Sequence, residues 1–166
     1  MISFSDIRET SPSITADGQT MVFARTENWT DKVPYLATRN GEGWSVRKAP
    51  FADTLYNLAI GPDGQSISFK TNETQDGEDV SRAYRVDRTS DGWGAPQNLK
   101  ALYNINAGYF GSMADGTLYF FARLPRPGIY RSEPDGRGGY TKPQWVSDAV
   151  SPEGITSFDV LVHPDE

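Results

Sequence analysis

Apolar residues in this chain come in short alternating runs interrupted by Asp-Gly. The stretch SITADGQTMVF, Ser13 to Phe23, returns as AIGPDGQSISF at Ala59 to Phe69 and as GSMADGTLYFF at Gly111 to Phe121. Alternation with period two on both sides of the turn predicts a pair of strands joined as a hairpin, with Gly supplying the positive φ that the tip needs. Aligned on the turn aspartate, Phe23, Phe69 and Phe121 stand six positions later, and Met21, Ile67 and Tyr119 four later. That face of the second strand is predicted to be core. Ahead of the aspartate, position −5 (Pro12, Leu58, Phe110, Val160) and position −3 (Ile14, Ile60, Ser112, Val162) are mostly apolar. Position −4 (Ser13, Ala59, Gly111, Leu161) is mostly small, and position −6 holds Ser11, Asn57, Tyr109 and Asp159.

The turn residues Asp17-Gly18, Asp63-Gly64, Asp115-Gly116 and a final Asp165 recur at intervals of 46, 52 and 50 residues. Self-similarity at about 40 to 50 residues, with several short strands per unit, is the signature of a β-propeller whose units are four-stranded blades. The remainder of each unit reads strand, Gly-rich turn, aromatic, strand: VPYLATRNGEGWSVRK, SRAYRVDRTSDGWGAP and GIYRSEPDGRGGYTKPQW. Trp44, Trp93 and Tyr140 are expected to pack between neighbouring blades. The predicted fold is therefore all-β: one segment over residues 1–166, with four-stranded antiparallel blades at about 11–48, 56–99 and 108–146. The inner strand of a fourth, partial blade is expected at 157–166. The turn aspartates read as structural, each capping its own backbone.

The turns TADGQTMVFAR, GPDGQSISFKT, MADGTLYFFAR and HPDE resemble those of the TolB-like, WD-like propeller repeats, over about Ser11 to Glu166. Pro precedes the aspartate only at Pro62 and Pro164, and Glu166 stands where the fourth turn would have Gly. The resemblance implies a non-enzymatic binding or scaffold propeller that recognises a protein or a small polymeric ligand at its channel mouth. Three blades cannot make a ring when propellers have about 4 to 8. More chain, a second copy that completes the ring as a homo-oligomer, and a native open arc all remain open.

Composition agrees with strands and turns: 37% apolar, 12% aromatic, 16 Gly and 11 Pro in 166 residues. The net charge of −6 argues against nucleic acid as a partner, because that needs a basic footprint. No run approaches the roughly 18 apolar residues of a membrane span, so no membrane insertion is expected. The N-terminal MISFSDIRETSPS lacks the basic start and apolar stretch of a secretory leader, which leaves a soluble chain in the cytoplasm, or in the periplasm after loss of a leader, equally open. There is no Cys and only one His, His163, so neither a thiolate nor a multi-histidine metal site is available; no cofactor or metal is expected.

Candidate ligand contacts follow from strand register. Asn57, Tyr109 and Asp159 at position −6 are expected to face the channel. Arg25 and Arg123, both eight residues after a turn aspartate, are expected at one rim, where two guanidinium groups suit a carboxylate. Salt bridges to the next blade are the competing role for them. Trp29, in the loop TENWTDK, adds an aromatic suited to sugar or peptide contact. The alternative to a binding module is a propeller enzyme acting on glycans or lactones, which rests on analogy of fold alone.

Overall fold

A computed structural model describes residues 7–102 and 105–157, without the side chain of Asp79. The expected fourth inner strand, with Asp159 and Asp165, lies outside the described residues beyond Ser157. The chain is all-β, in three antiparallel sheets. The first orders β1 (Arg8–Ile14), β2 (Thr20–Thr26), β3 (Val33–Asn40) and β4 (Gly43–Lys48) in sequence. The second orders β5 (Tyr56–Ile60), β6 (Ser66–Gln75), β7 (Glu78–Thr89) and β8 (Gly92–Trp93), with β9 (Gln97–Asn98) paired further along β7. The third orders β10 (Gly108–Ser112), β11 (Leu118–Ala122), β12 (Gly128–Ser132) and β13 (Gln144–Trp145). The middle sheet thus has five strands rather than four, because the segment after the Gly92 turn pairs with β7 twice. None of the sheets closes on itself. No helix among the described residues is long and apolar enough to cross a membrane.

The Asp-Gly hairpins have a common build. The turn carboxylates accept backbone hydrogen bonds two residues on: Asp17 from Gln19 (2.9 Å), Asp63 from Gln65 (2.9 Å) and Asp115 from Thr117 (2.8 Å). Gly18, Gly64 and Gly116 have φ of 66, 70 and 87°, a region that costs an L side chain about 1–2 kcal/mol. The closing bonds run from Thr15 N to the Thr20 carbonyl, from Gly61 N to that of Ser66, and from Met113 N to that of Thr117. The third turn is therefore one residue shorter than the other two.

That missing residue corrects the alignment on Asp-Gly. Ser13 pairs with Val22 and Ala59 with Ser68, but Gly111 pairs with Tyr119. The structural equivalents of Met21 and Ile67 are thus Leu118, not Tyr119, and of Phe23 and Phe69 Phe120, not Phe121. Ile67 and Phe69 of the second sheet pack with Val22, Ala24 and Leu36 of the first. Leu118, Phe120 and Ala122 of the third pack with Ala59 and Ala83 of the second. Phe69 and Phe120 are fully buried. The second sheet therefore sends its large residues towards the first sheet and its small ones, Ala59, Ala83, Ser66 and Ser68, towards the third.

The expected inter-sheet aromatics divide. Trp93 meets Phe51 edge-on at 5.9 Å within the core between the first two sheets. Tyr140 donates its hydroxyl to the Gly116 carbonyl at 3.1 Å and accepts from Arg85 at 2.6 Å, joining the second and third sheets. Trp44 stays within the first sheet, under the Arg39 guanidinium at 5.7 Å. Contacts between sheets concentrate on the first strands, with β5 between β1 and β10. Two cross-sheet bonds fasten the first pair: Ile60 N donates to Ser13 Oγ (3.1 Å) and Ala16 N to the Pro62 carbonyl (2.9 Å).

Candidate functional site

Each first strand breaks register at the same place: between Thr10 and Ser13, between Tyr56 and Ala59, and between Gly108 and Gly111. The extra residue at each bulge has left-handed backbone: Ser11 (φ 52°), Asn57 (φ 49°) and Tyr109 (φ 55°). These are the three described residues of position −6. A bulge with positive φ turns a side chain out of the pleat, and such strain is held only where the surrounding structure over-determines it. Ser11, Asn57 and Tyr109 all line one cavity of about 800 Å³ between β1, β5 and β10. That volume falls in the usual range of small-molecule sites, roughly 300–1,000 Å³.

The β2–β3 loop closes one side of this cavity through Trp29 and Lys32. The loop is held by its own side chains. Asn28 Oδ1 accepts from Thr30 N (3.0 Å) and Asp31 N (2.9 Å), Asn28 Nδ2 donates to Asp31 (2.7 Å), and Trp29 N donates to Thr26 Oγ1 (2.9 Å). Trp29 has φ of 68° and is 59% exposed, with the Arg8 guanidinium 5.3 Å from its ring centre. A large aromatic displayed at a cavity mouth by an ordered turn is pre-organised for contact, since little loop entropy is lost on binding. Tyr109, 38% exposed, offers a second ring, set edge-on against Phe121 at 6.4 Å.

One lysine, Lys32, lines the cavity, and a second, Lys70, stands outside its lining. Lys32 Nζ lies 5.3 Å from the centre of the Tyr56 ring, and Tyr56 donates its hydroxyl to the Thr30 carbonyl at 2.6 Å. Lys70, on β6, passes its stem beside the bulge of β10: a Cβ on Gly108 would stand 3.6 Å from Lys70 Cδ and 3.3 Å from Asn57 Oδ1. Its ammonium donates to Asn106 Oδ1 at 3.0 Å. Burial, and then the neighbouring Lys32 charge, hold Lys70 below the ordinary lysine pKa. Position-by-position comparison of the hairpins singled out neither lysine. The one available signal is Lys70 itself, a cation in the column that otherwise holds Ala24 and Phe121.

Of the sequence-derived candidates, Asn57, Tyr109 and Trp29 come together at the cavity, while Asp159 lies outside the described residues. Arg25 and Arg123 do not form a pair. Once the short third turn is counted, Arg25 corresponds to Ala122, and Arg123 lies one residue past the end of β11, exposed. Arg25 lies against the Tyr35 and Phe23 rings, 4.6 and 5.3 Å from their centres, and its Nε is 3.4 Å from Glu9 Oε1. It holds its own sheet together rather than reaching a rim.

A second cavity, of about 840 Å³, opens between the second and third sheets beside the Asp63 and Asp115 turns. Among its lining charges Arg85 Nε donates to Asp87 at 2.6 Å, and Asp135 accepts from the backbone N–H groups of Arg137 (2.8 Å) and Gly139 (2.9 Å). No cluster of three metal-ligating side chains occurs among the described residues. The chain matches no protein-family model and no curated protein.

Proposed function

We propose that the three sheets are successive blades of a TolB-like β-propeller segment, and that the chain is a non-enzymatic binding module. It recognises a protein or a small polymeric ligand at the mouth of the cavity between β1, β5 and β10. The ring is completed by further chain or by a second copy. One observation carries the reading: an equivalent left-handed bulge residue in every first strand opens onto one cavity, beside a tryptophan displayed by an ordered loop. Three repeats of one hairpin, with first strands side by side and the large faces of the second and third sheets each turned towards the preceding sheet, support the radial arrangement.

The test is a panel of immobilised oligosaccharides and peptides probed with the protein and with Trp29→Ala and Tyr109→Ala. Retained ligands are expected to bind at least about tenfold more weakly to both variants, as for aromatic anchors removed from a binding site. Melting temperatures are expected to stay nearly unchanged, because both rings are partly exposed. A protein that retains nothing across both panels, or ligands indifferent to both substitutions, would refute the assignment. Light scattering on the eluted protein reports ring closure separately: a monomer speaks against completion by a second copy.

A further inference from the structure

We propose that this cavity holds an extended segment of a partner protein, about four to five residues long, with an apolar side chain towards each end and an acidic one beside Lys32. This deepens the binding-module reading and rests on it.

The placement of apolar surface is the first argument. Of the five large apolar side chains exposed among the described residues, Ile14, Trp29 and Tyr109 line this one cavity. Apolar surface gathered at one place in water marks a contact site. The three stand at two stations. Trp29 and Tyr109 belong to the end that carries the β2–β3 loop and the bulges, whereas Ile14, 47% exposed, ends β1 at its Asp-Gly turn, where Ala16 and Pro62 continue the lining. From Thr10 to Ile14 every residue of β1 takes part, a span of about 13 Å at a rise of roughly 3.3 Å per residue, which an extended chain crosses in about four to five residues.

Ile14 separates a peptide from a saccharide. A sugar lays its C–H face on a flat ring such as that of Trp29 or Tyr109, but a branched aliphatic group gains most by meeting another apolar side chain. The backbone of the segment needs partners once it leaves water. β1 and β5 do not offer them a free edge, because they are tied to one another through Ser13 with Ile60 and Ala16 with Pro62. Side chains supply them instead: Thr10 Oγ1 is buried without a hydrogen-bond partner among the described residues, and Ser11, Asn57 and Ser112 carry groups that both donate and accept. Charge sets the remaining feature. Lys32 is the single charged side chain in the lining, and among the described residues no carboxylate lies within ion-pair distance of it. One acid at that end is complementary, while a charge elsewhere along the lining would lose water without a partner.

A phage-displayed library of random hexapeptides, panned against the intact protein, is the test. Retained sequences are expected to carry two apolar residues about three or four positions apart, with Asp or Glu beside one of them. Synthesised with both ends capped and titrated by fluorescence polarisation, they are expected to bind Lys32→Met and Ile14→Ser each about tenfold more weakly. Circular dichroism checks that each variant is folded. Panning against Lys32→Glu should exchange the acid for Lys or Arg, a gain that misfolding cannot imitate, and panning against Ile14→Ser should lose the apolar residue farther from the acid while keeping the acid. Retained sequences without the apolar pair or without the acid, or selections unmoved by Ile14→Ser or Lys32→Glu, overturn the peptide assignment. A library that retains nothing while oligosaccharides of the wider panel bind overturns it too and leaves a binding module. If library and panel both retain nothing, the binding-module reading falls with it.

Discussion

Gly128→Ala is a one-carbon change whose effect is set by geometry. Gly128 opens β12 opposite Ala122, and an added Cβ would stand 2.5 Å from Trp145 Cη2, 2.6 Å from Cζ3 and 2.9 Å from Ser151 Cβ. Carbon atoms in contact rest at about 3.5–4.0 Å, so the indole must retreat by roughly 1 Å. It has little room to do so. Trp145 meets Tyr130 edge-on at 5.2 Å, lies 3.7 Å from the Arg126 guanidinium and donates Nε1–H to Asp148 at 3.1 Å. Ser151, 2% exposed, cannot yield without loosening the bond its hydroxyl accepts from Ile129 N at 3.0 Å. Overpacking of this kind costs about 1–3 kcal/mol, and a weakened buried hydrogen bond about 1 kcal/mol more. For a chain of this size that lowers the melting temperature by roughly 5–15 °C. Thermal unfolding followed by near-ultraviolet circular dichroism reads both the midpoint and the tryptophan environment. A midpoint within about 1 °C of the parent would refute the packing of Trp145 over Gly128.

Two further outcomes follow from the turns and bulges. At Ser11, Gly should be close to neutral, because relief of left-handed strain offsets the entropy that Gly loses on folding. Val at the same place should cost about 1–2 kcal/mol or more; equal midpoints for the two variants would contradict the bulge. The Asp17 carboxyl is held below the ordinary aspartate pKa by the Thr15 hydroxyl first and the Gln19 backbone N–H second. A depressed carboxyl contributes stability above its unfolded pKa and loses it as pH falls through the folded one, so the contribution should fade below about pH 4. Asp17→Asn should accordingly flatten the acid limb of midpoint against pH, and an unchanged limb would show that the hydroxyl contact has no such effect.

Much of the architecture was legible because Asp-Gly leaves a mark that needs no tertiary knowledge: an aspartate capping its own turn and a glycine at positive φ. Alternation then separates the two faces of the flanking strands, and in the first two units it does so correctly. The third unit misled because Gly116 is followed directly by Thr117, without the Gln19 or Gln65 of the other turns. Counting from the aspartate slid every later position by one, and two arginines appeared equivalent that are not. Phe120 and Phe121 are both buried, on opposite faces, so hydrophobicity alone gave no warning. At the cavity, the position −6 residues were recognisable as a column, but their positive φ was not, since Ser, Asn and Tyr share no turn signature. Lys32 enters the cavity lining from the β2–β3 loop, outside the hairpin columns, so no comparison of the repeats could find it.

The shortened third tip has a consequence for where this molecule tolerates change. Gly108 still pairs with Phe121 as Tyr56 does with Lys70 and Thr10 with Ala24, so the deletion stops at the hairpin's end and reaches none of the ladder rungs behind it. Length can vary at the Asp-Gly extremity without shifting the bulge residues Ser11, Asn57 and Tyr109 at the opposite extremity of the first strands. A label or grafted loop belongs at the former; a single residue gained or lost at the latter would turn a whole row of side chains onto the wrong side.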